Sequence, residues 1–262
     1  MRIRRLEMIL FAALIAALCL GAAAAEGQIS GKVWLDQPAN GLMEEGESGV
    51  SGAAVILEKI DADGGAAEAA RAVTRRSGDY SLTAAEPGTY RLRIELPQEL
   101  HFTFHGQDSG ALPAQGRVSY TPAFTVGEEP VTLNIGATKT QAHVTFMAFE
   151  DLNKNGGRAS AEPRLRNVRL QVIYDYDGET YVVAEIYTPP GGRITLDELS
   201  PGAYRARLIL PRNYAVGPLG TTFSGWYNCF VPDAEGTGVT REFTLAPKDN
   251  QWIGAGMVRT DE

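Results

Sequence analysis

The chain is poor in the residues on which disulfides, metal–thiolate sites and most hydrolases depend. Its 262 residues include two cysteines, Cys19 and Cys229, and three histidines. Removal of Cys19 with the N-terminal segment described below would leave one cysteine, which excludes an intramolecular disulfide and is typically a buried, inert thiol. Motifs such as Gly-x-Ser-x-Gly, His-Glu-x-x-His and the P-loop do not occur. The sequence therefore predicts a protein that is not an enzyme.

Long apolar runs are absent beyond the N-terminus. There, three arginines precede an apolar run over 8–20 and small residues at 23–25, which is the pattern of a cleaved signal peptide. We predict a signal peptide at 1–25 and a secreted, extracellular chain that is not membrane-embedded after cleavage. The alternative is an uncleaved anchor, because about 18 apolar residues approach the minimum membrane span.

Positive charge is in the minority. The whole chain has 24 Lys and Arg against 32 Asp and Glu. Residues 1–25 contain three Arg and one Glu, so the remainder has 21 basic and 31 acidic side chains and a net charge of −10. This charge argues against nucleic acid and anionic membranes as partners. It suits a soluble protein that meets divalent cations.

Helical periodicity is also missing, whereas the two-residue period of strands recurs. From Tyr90 to Leu96, apolar side chains alternate with Arg91, Arg93 and Glu95. This alternation predicts a strand with one buried face and one solvent-exposed face. The 29 glycines and 14 prolines separate such stretches by turns. We predict an all-β fold of short strands at the spacing of a β-sandwich.

The chain repeats itself once. The matching segments are 31–36 with 146–151 (GKVWLD and FMAFED) and 87–90 with 201–204 (PGTY and PGAY). Each copy has the size of a typical domain. We predict two tandem β-sandwich domains, at 26–138 and 139–262, closely coupled because no Pro/Gly/Ser-rich linker separates them.

A loop with the ligand pattern of calcium sites follows the first segment of each copy. Residues 151–162 (DLNKNGGRASAE) fit D-x-[DN]-x-[DN]-G-x5-E completely, and 36–47 (DQPANGLMEEGE) have Pro38 at the third position. Alternating oxygens, a turn glycine and a late glutamate suit calcium. The candidate calcium ligands are Asp36, Asn40, Glu44 and Glu47 in the first loop and Asp151, Asn153, Asn155 and Glu162 in the second. The alternative is a polar turn without metal, and the flanking β-formers indicate that each loop joins strands rather than helices.

Together these motifs resemble the SdrD B-like repeats of bacterial surface proteins, relatives of the B-type repeats of collagen adhesins. The resemblance covers nearly all of 29–258 and rests on the two openings with their loops, on GDY in the first copy and on LSPGAY in the second. It implies a seven-stranded immunoglobulin-like, or transthyretin-like (prealbumin-like), β-sandwich per copy. It also implies calcium in the opening loop and a role as spacer or adhesive module without catalysis. Pro38 and Ala159 depart from the family pattern, and each removes one side-chain ligand.

The resemblance also implies the class of partner. We predict a structural or adhesive module, secreted or at the cell surface, that meets a host or cell-surface protein or glycan and is rigidified by calcium in its loops. The alternative is a module that binds carbohydrate or another ligand through loop aromatics of the second copy, Trp226 and Tyr227. Exposed rings would favour this alternative, and buried rings would contradict it.

A covalent crosslink is the last chemistry that the resemblance raises. Related adhesin modules can form Lys–Asn isopeptide bonds, for which Lys32 and Asn134 are the candidates here, with Glu95 as the helper acid. The second copy has Thr145 or Phe146 near the position of Lys32. The sequence therefore argues against a crosslink.

The calcium hypothesis predicts a metal-dependent melting temperature. A ligand that binds only the native state adds RT ln(1 + [L]/Kd), about 1.4 kcal/mol at ten times Kd, and the Kd of extracellular modules is roughly 0.1–1 mM. We expect millimolar calcium to raise the melting temperature of residues 26–262 by several degrees relative to chelator. Identical melting curves in chelator and in calcium would contradict calcium binding.

Overall fold

The structure is a computed structural model that describes residues 27–260. These residues form strands joined by turns and loops, with no helix among them, and the prediction of an all-β fold is confirmed. No helix in this described range is long and apolar enough to cross a membrane. The predicted signal peptide at 1–25, which includes Cys19, lies outside the described residues.

The first half consists of two facing sheets. Its strands are β1 (Gly27–Leu35), β2 (Ala54–Ile60), β3 (Ala66–Val73), β4 (Asp79–Ala84), β5 (Gly88–Glu95), β6 (His101–Phe102), β7 (Val118–Tyr120), β8 (Phe124–Val126), β9 (Val131–Thr132) and β10 (Ile135–Thr138). One sheet has the order β4-β1-β10-β6, with β9 also on β1, and the other has the order β3-β2-β5-β7, with β8 also on β5. The pair β1–β10 is parallel.

The second half repeats this strand order. Its strands are β11 (Ala142–Glu150), β12 (Arg169–Tyr176), β13 (Glu179–Tyr187), β14 (Arg193–Leu199), β15 (Gly202–Ile209), β16 (Tyr214–Val216), β17 (Phe230–Pro232), β18 (Gly238–Thr240), β19 (Phe243–Leu245) and β20 (Asn250–Arg259). The sheet β14-β11-β20-β16 reproduces β4-β1-β10-β6, including the parallel central pair. The sheet β13-β12-β15-β18-β17 reproduces β3-β2-β5-β7, with β17 added at its edge.

Each half has a hydrophobic core of its own. In β5, the predicted alternation is confirmed, because Tyr90, Leu92 and Ile94 are buried. On the opposite face, Arg91 and Arg93 both bind Glu58, with N–O distances of 2.8 and 3.0 Å. Full burial of a large apolar side chain contributes about 1.5–3 kcal/mol, so this pattern decides which face of the strand points inward.

The strands of each half run between two ends. We call the end that holds the loop after β1 or β11 the loop end, and the opposite end, with the β2–β3 or β12–β13 turn, the turn end. The predicted boundary after residue 138 coincides with the end of β10. The assignment of two independent domains stays a prediction.

A buried tyrosine anchors the turn before the fifth strand of each half. Tyr90 and Tyr204 are each 1% exposed. Their hydroxyls donate to the carbonyl oxygens of Glu86 and Ser200, four residues upstream, at 2.8 and 2.7 Å. Burial raises the pKa of Tyr204, as expected for a phenol that serves as a fixed donor. The arrangement is similar to the tyrosine corner of immunoglobulin-like sandwiches.

We expect Tyr204→Phe to lower the free energy of unfolding by about 1–3 kcal/mol, because the Ser200 carbonyl then lacks its donor inside the protein. Tyr90→Phe should have a smaller effect, since its hydrogen bond is only partly buried. Urea denaturation measures both. Tyr187→Phe is the matched control, because Tyr187 is 53% exposed, and an equal loss in the control would contradict the assignment.

Candidate functional site

The two predicted calcium loops begin beyond the same aromatic–glycine contact. Trp34 and Phe149 are fully buried, and they lie in register with Gly136 and Gly256 of the last strands. A Cβ on Gly136 would come within 2.8 Å of the Trp34 ring, and one on Gly256 within 2.8 Å of the Phe149 ring. Glycine is therefore required opposite each ring. Each loop begins two residues after the aromatic residue of this contact.

In the first loop, Asp36 is fully buried and is surrounded by donors. Its carboxylate accepts the backbone amide hydrogens of Ala39, Asn40 and Gly41, at 2.9, 3.1 and 2.7 Å. The hydroxyl of Thr103 donates to it at 2.5 Å. A buried carboxylate is tolerated only with such partners, so Asp36 and the loop backbone hold each other in place.

In the second loop, Asp151 has the same role. It is 1% exposed and accepts the amide hydrogens of Asn155 and Gly156 at 3.1 and 2.7 Å. The glycine at the sixth loop position has a φ of 77° in this loop and 83° in the first, which is the left-handed region that glycine adopts without strain. The prediction that this glycine makes the sharp turn is confirmed.

The late glutamate closes each loop from its other side. Each glutamate accepts the amide hydrogens of the second loop residue and of the residue three positions before itself. For Glu162 these distances are 2.9 and 2.7 Å, and for Glu47 they are 2.7 and 2.9 Å. Since Glu162 is 3% exposed, its charge is satisfied by amides that the loop folds around it.

The remaining candidate ligands make local contacts. The side-chain oxygens of Asn40, Asn153 and Asn155 each accept the amide hydrogen of the residue two positions later, at 2.8, 3.2 and 2.7 Å. Glu44 accepts a weak hydrogen bond from the Asn40 side chain at 3.4 Å. These are the side-chain turns that Asn favours in loops.

Calcium binding stays a prediction. Within residues 27–260, no three or more His, Cys, Asp or Glu side chains stand close enough to hold a metal ion together. The carboxylates point instead to backbone amides, so as they stand these residues fit a loop closed by its own hydrogen bonds better than a calcium cage. Asp151→Ala would remove such hydrogen bonds whether or not metal binds. Asn153→Ala, which removes one 3.2 Å contact, is the better variant for the calcium melt.

The loop aromatics of the second half lie against the second loop. The amide of Arg158 donates to the carbonyl of Trp226 at 2.8 Å. Trp226 is 52% exposed and Tyr227 is half-buried. They line an open groove of about 520 Å³ together with Asn155, Gly157, Arg158, Ala159 and Thr221. The exposed ring favours the alternative of a ligand-binding module.

Sequence reasoning missed a buried residue that follows the groove aromatics in the chain. Asn228 is fully buried, and its side-chain nitrogen donates to the carbonyls of Gly217 and Phe230 at 2.8 and 3.0 Å. Its side-chain oxygen accepts the Gly256 amide hydrogen at 3.2 Å. A single Asn in an irregular segment belongs to no sequence pattern that would predict its burial. The neighbouring Cys229 is buried as predicted, and burial raises the pKa of its thiol.

The residues considered for an isopeptide bond are used otherwise. The side-chain oxygen of Asn134 accepts the backbone amide hydrogen of Lys32 at 3.0 Å. Glu95 lies on β5, in the other sheet, and pairs with Arg93 at 2.6 Å. The side chains of Asn134 and Glu95 therefore make separate structural contacts.

The loop end of the first half meets the turn end of the second through backbone pairing. The amide of Ser200 donates to the carbonyl of Ala114 at 2.9 Å, and the amide of Gly116 donates to the carbonyl of Glu198 at 2.7 Å. The Ser200 hydroxyl oxygen also accepts the amide hydrogen of Ala114 at 3.1 Å. Hydrogen bonds between main chains restrict both translation and rotation of one half on the other.

A histidine packs between two tyrosines at the same junction. His105 Nδ1 lies 2.8 Å from the hydroxyl oxygen of Tyr174. Its ring meets that of Tyr176 edge-on, with centroids 4.5 Å apart. Burial lowers the pKa of His105 to about 4, so the neutral imidazole is the form that fits the junction.

Comparison with known proteins identifies relatives of the chain. Residues 27–141 match the SdrD B-like domain. Serine-aspartate repeat-containing protein D of Staphylococcus aureus (strain MW2) is 25% identical over 236 residues, which are 88% of this chain and 16% of that protein. Colossin-A of Dictyostelium discoideum is 24% identical over 199 residues, 70% of this chain and 2% of that protein. The chain thus spans only a small part of these relatives.

Among solved structures, the minor pilin of Streptococcus agalactiae is similar at 10% sequence identity and a TM-score of 0.40. The match covers 90% of this chain and 97% of that one. The shaft pilin SpaA of Lactobacillus rhamnosus GG matches at 10% identity and a TM-score of 0.28, covering 90% and 99% of the two chains. The fold of the present chain is assigned from its own strands and their pairing.

We expect Asp36→Asn and Asp151→Asn to lower the free energy of unfolding by about 1–3 kcal/mol each, even in chelator. The amide nitrogen of Asn would face backbone donors that the carboxylate satisfied. Urea denaturation measures the effect. Glu45→Gln is the control, since Glu45 is exposed in the same loop. A loss that appears only when calcium is present would show that the carboxylates act through metal.

The His105 junction predicts a loss of stability in acid. The unfolded histidine binds a proton near pH 6.5 and the folded one near pH 4, so this stabilisation is fully present above pH 6.5 and is lost as the pH falls towards 4. The shift corresponds to about 3 kcal/mol at most, and partial exposure of the ring reduces the expected effect to about 1–2 kcal/mol.

Chemical denaturation at pH 7 and pH 4.5 measures this loss of stability, which should disappear in His105→Gln. Gln107→Asn, two residues away and exposed, is the control and should keep the dependence of the wild type. An unchanged pH dependence in His105→Gln would rule out His105 as its source.

Proposed function

Starting from an SdrD B-like domain at residues 27–141 and the repeat of its strand order over 142–260, we propose that the chain is a non-enzymatic structural or adhesive module. It acts outside the cell, secreted or at the cell surface, as a spacer of two coupled sandwiches. The observation that carries this proposal is the junction. Ala114 and Gly116 form main-chain hydrogen bonds with the end of β14 and the turn that follows it. Together with the His105–Tyr174 contact, these bonds hold the halves in one arrangement, which a spacer requires.

The use of the polar side chains supports a role without catalysis. Asp36, Asp151 and Glu162 are buried and bind loop amides. His105 is neutral at physiological pH and is bound by a tyrosine. Groups that are satisfied in this way stabilise a fold, whereas catalytic groups are held in a cleft with geometry left open for a substrate.

Calcium has a limited part in this proposal. The loops are closed by their own carboxylates, so the module keeps its shape without metal. The melting experiment in chelator and in calcium decides whether bound calcium adds stability to that shape. The partner class that we propose is a host or cell-surface protein or glycan.

Small-angle scattering tests the spacer. We expect the scattering of residues 26–262 to be fitted by one arrangement of the two halves, because backbone pairing at the junction resists rotation. Ser200→Ala removes the hydroxyl that bonds Ala114 and should broaden the distribution of distances, whereas Ser160→Ala, at an exposed site, should not. Wild-type data that require many orientations would contradict the proposal.

A second candidate function is glycan binding at the groove of the second half. The observation that favours it is the 52% exposed Trp226 beside Arg158 and Asn155, since sugars bind on exposed aromatic faces flanked by polar side chains. Glycan-array binding that is abolished by Trp226→Ala and retained by Tyr187→Ala would support it. Tyr187 is a fair control because it is 53% exposed and lies on another strand.

A further inference from the structure

The junction within the chain shows which surface of a half receives another sandwich. In the first half, the amide of Thr103 donates to the carbonyl of Gly136, and in the second half the amide of Gly217 donates to the carbonyl of Gly256. Thr103 and Gly217 are therefore equivalent. Counting two residues onward, His105, which packs on the second half, corresponds to Leu219.

Leu219 and its neighbours leave an apolar surface at the loop end of the second half. Leu219 is 59% exposed, Leu152 is 58% exposed and Trp226 is 52% exposed. The second loop, which contains Leu152, contacts the segments of the other two, because Gly156 packs on the carbonyl of Leu219 and the next loop residues pair with Trp226 and Tyr227. A surface that in the first half is covered by a sandwich is thus uncovered in the second, within the residues that the structure describes.

The same end is basic. Its exposed or half-exposed cationic side chains include Lys154, Arg158, Arg164, Arg166 and Arg212. The acids of the second loop do not offset them, since Asp151 and Glu162 are buried. Asp233 and Glu235 are the accessible acids nearby in the described chain, so the cationic side chains predominate.

The opposite end of the described chain, the turn end of the first half, has the complementary charge. Its exposed acids are Asp61, Asp63, Glu86, Glu128 and Glu129. The one lysine beside them, Lys59, is already paired with Glu86. Between the acids lie small exposed apolar residues, namely Ala62, Ala85, Pro87 and Pro130. This end is therefore acidic, with small apolar residues between its acids.

We propose that the loop end of the second half binds the turn end of the first half in a second copy of the chain, head to tail. The internal junction supplies the precedent, because there too a loop end meets a turn end. Complementary charge at the two ends steers the encounter and sets the orientation. A contact between two different surfaces of one protein continues from copy to copy and forms open chains unless it closes into a ring. The inference does not depend on the proposed function.

Analytical ultracentrifugation of residues 26–262 tests the inference. At low salt, we expect the weight-average mass to rise above that of the monomer between micromolar and millimolar concentration. In about 1 M salt the Debye length falls to about 3 Å, and the mass should return towards the monomer. A chain that stays monomeric at low salt up to millimolar concentration would overturn the proposal.

Two charge-reversal variants separate the two ends. Arg164→Glu with Arg166→Glu alters the basic end, and Asp63→Lys with Glu129→Lys alters the acidic end. Each alone should remain monomeric, whereas an equimolar mixture should associate again, because the intact basic end of one variant can pair with the intact acidic end of the other. Melting temperatures near that of the wild type would exclude misfolding as the cause.

Arg75→Glu with Arg76→Glu is the matched control for the basic end, because these two arginines are exposed elsewhere and the change in net charge is the same as in Arg164→Glu with Arg166→Glu. It should associate like the wild type, and loss of association in this control would contradict a specific end-to-end contact. A monomeric wild type whose glycan binding is lost in Trp226→Ala would assign the basic end to glycan instead of a second copy and overturn the proposal.

Discussion

A buried carboxylate beneath each opening loop is the constraint on which the loop end of each sandwich depends. Asp36 and Asp151 are removed from water, and an ion in that position is stable only when hydrogen-bond donors surround it. The loop amides at the fifth and sixth positions supply those donors. Because the amides can reach the carboxylate only if the chain turns sharply, the loop shape, the glycine and the aromatic–glycine contact below it follow together.

The two halves share this constraint and differ in what surrounds it. The first loop contains exposed acids, among them Glu44 and Glu45, whereas the second contains Lys154 and Arg158. At the equivalent position of the next segment, the first half has His105 and the second has Leu219. The same backbone therefore places a neutral imidazole against the neighbouring sandwich in the first half, and it leaves an apolar, basic surface exposed in the second half. Duplication conserves the strand order, and the loop residues decide what each end contacts.

The junction connects the fold with its proposed role. A spacer transmits position only if its modules do not swing freely, and the main-chain hydrogen bonds of Ser200 and Gly116 meet that need. Tyr174 and Tyr176 add ring contacts with His105 that depend on an uncharged imidazole. We therefore expect this interface to weaken in acid.

Much of the fold follows from local patterns in the sequence. The alternation around Tyr90 and the repeated PGxY turns specify strands, their inward faces and the duplication, because strand periodicity and turn chemistry act over a few residues. The calcium pattern is recognisable from the sequence in the same way. Sequence spacing cannot show that its carboxylates point to backbone amides, because the same arrangement of oxygens suits both a metal ion and amide donors. This holds for Asp36, Glu47, Asp151 and Glu162.

Only the tertiary structure decided the burial of Asn228, the exposure of Trp226 and the contact of His105 with Tyr174, 69 residues away. Each depends on which segments meet in space. Long-range packing is set by the whole sheet topology rather than by neighbours in the chain. The sequence by itself determined two all-β repeats and the residues of their loops, and the folded chain determined which of those residues face amides, solvent or the other half.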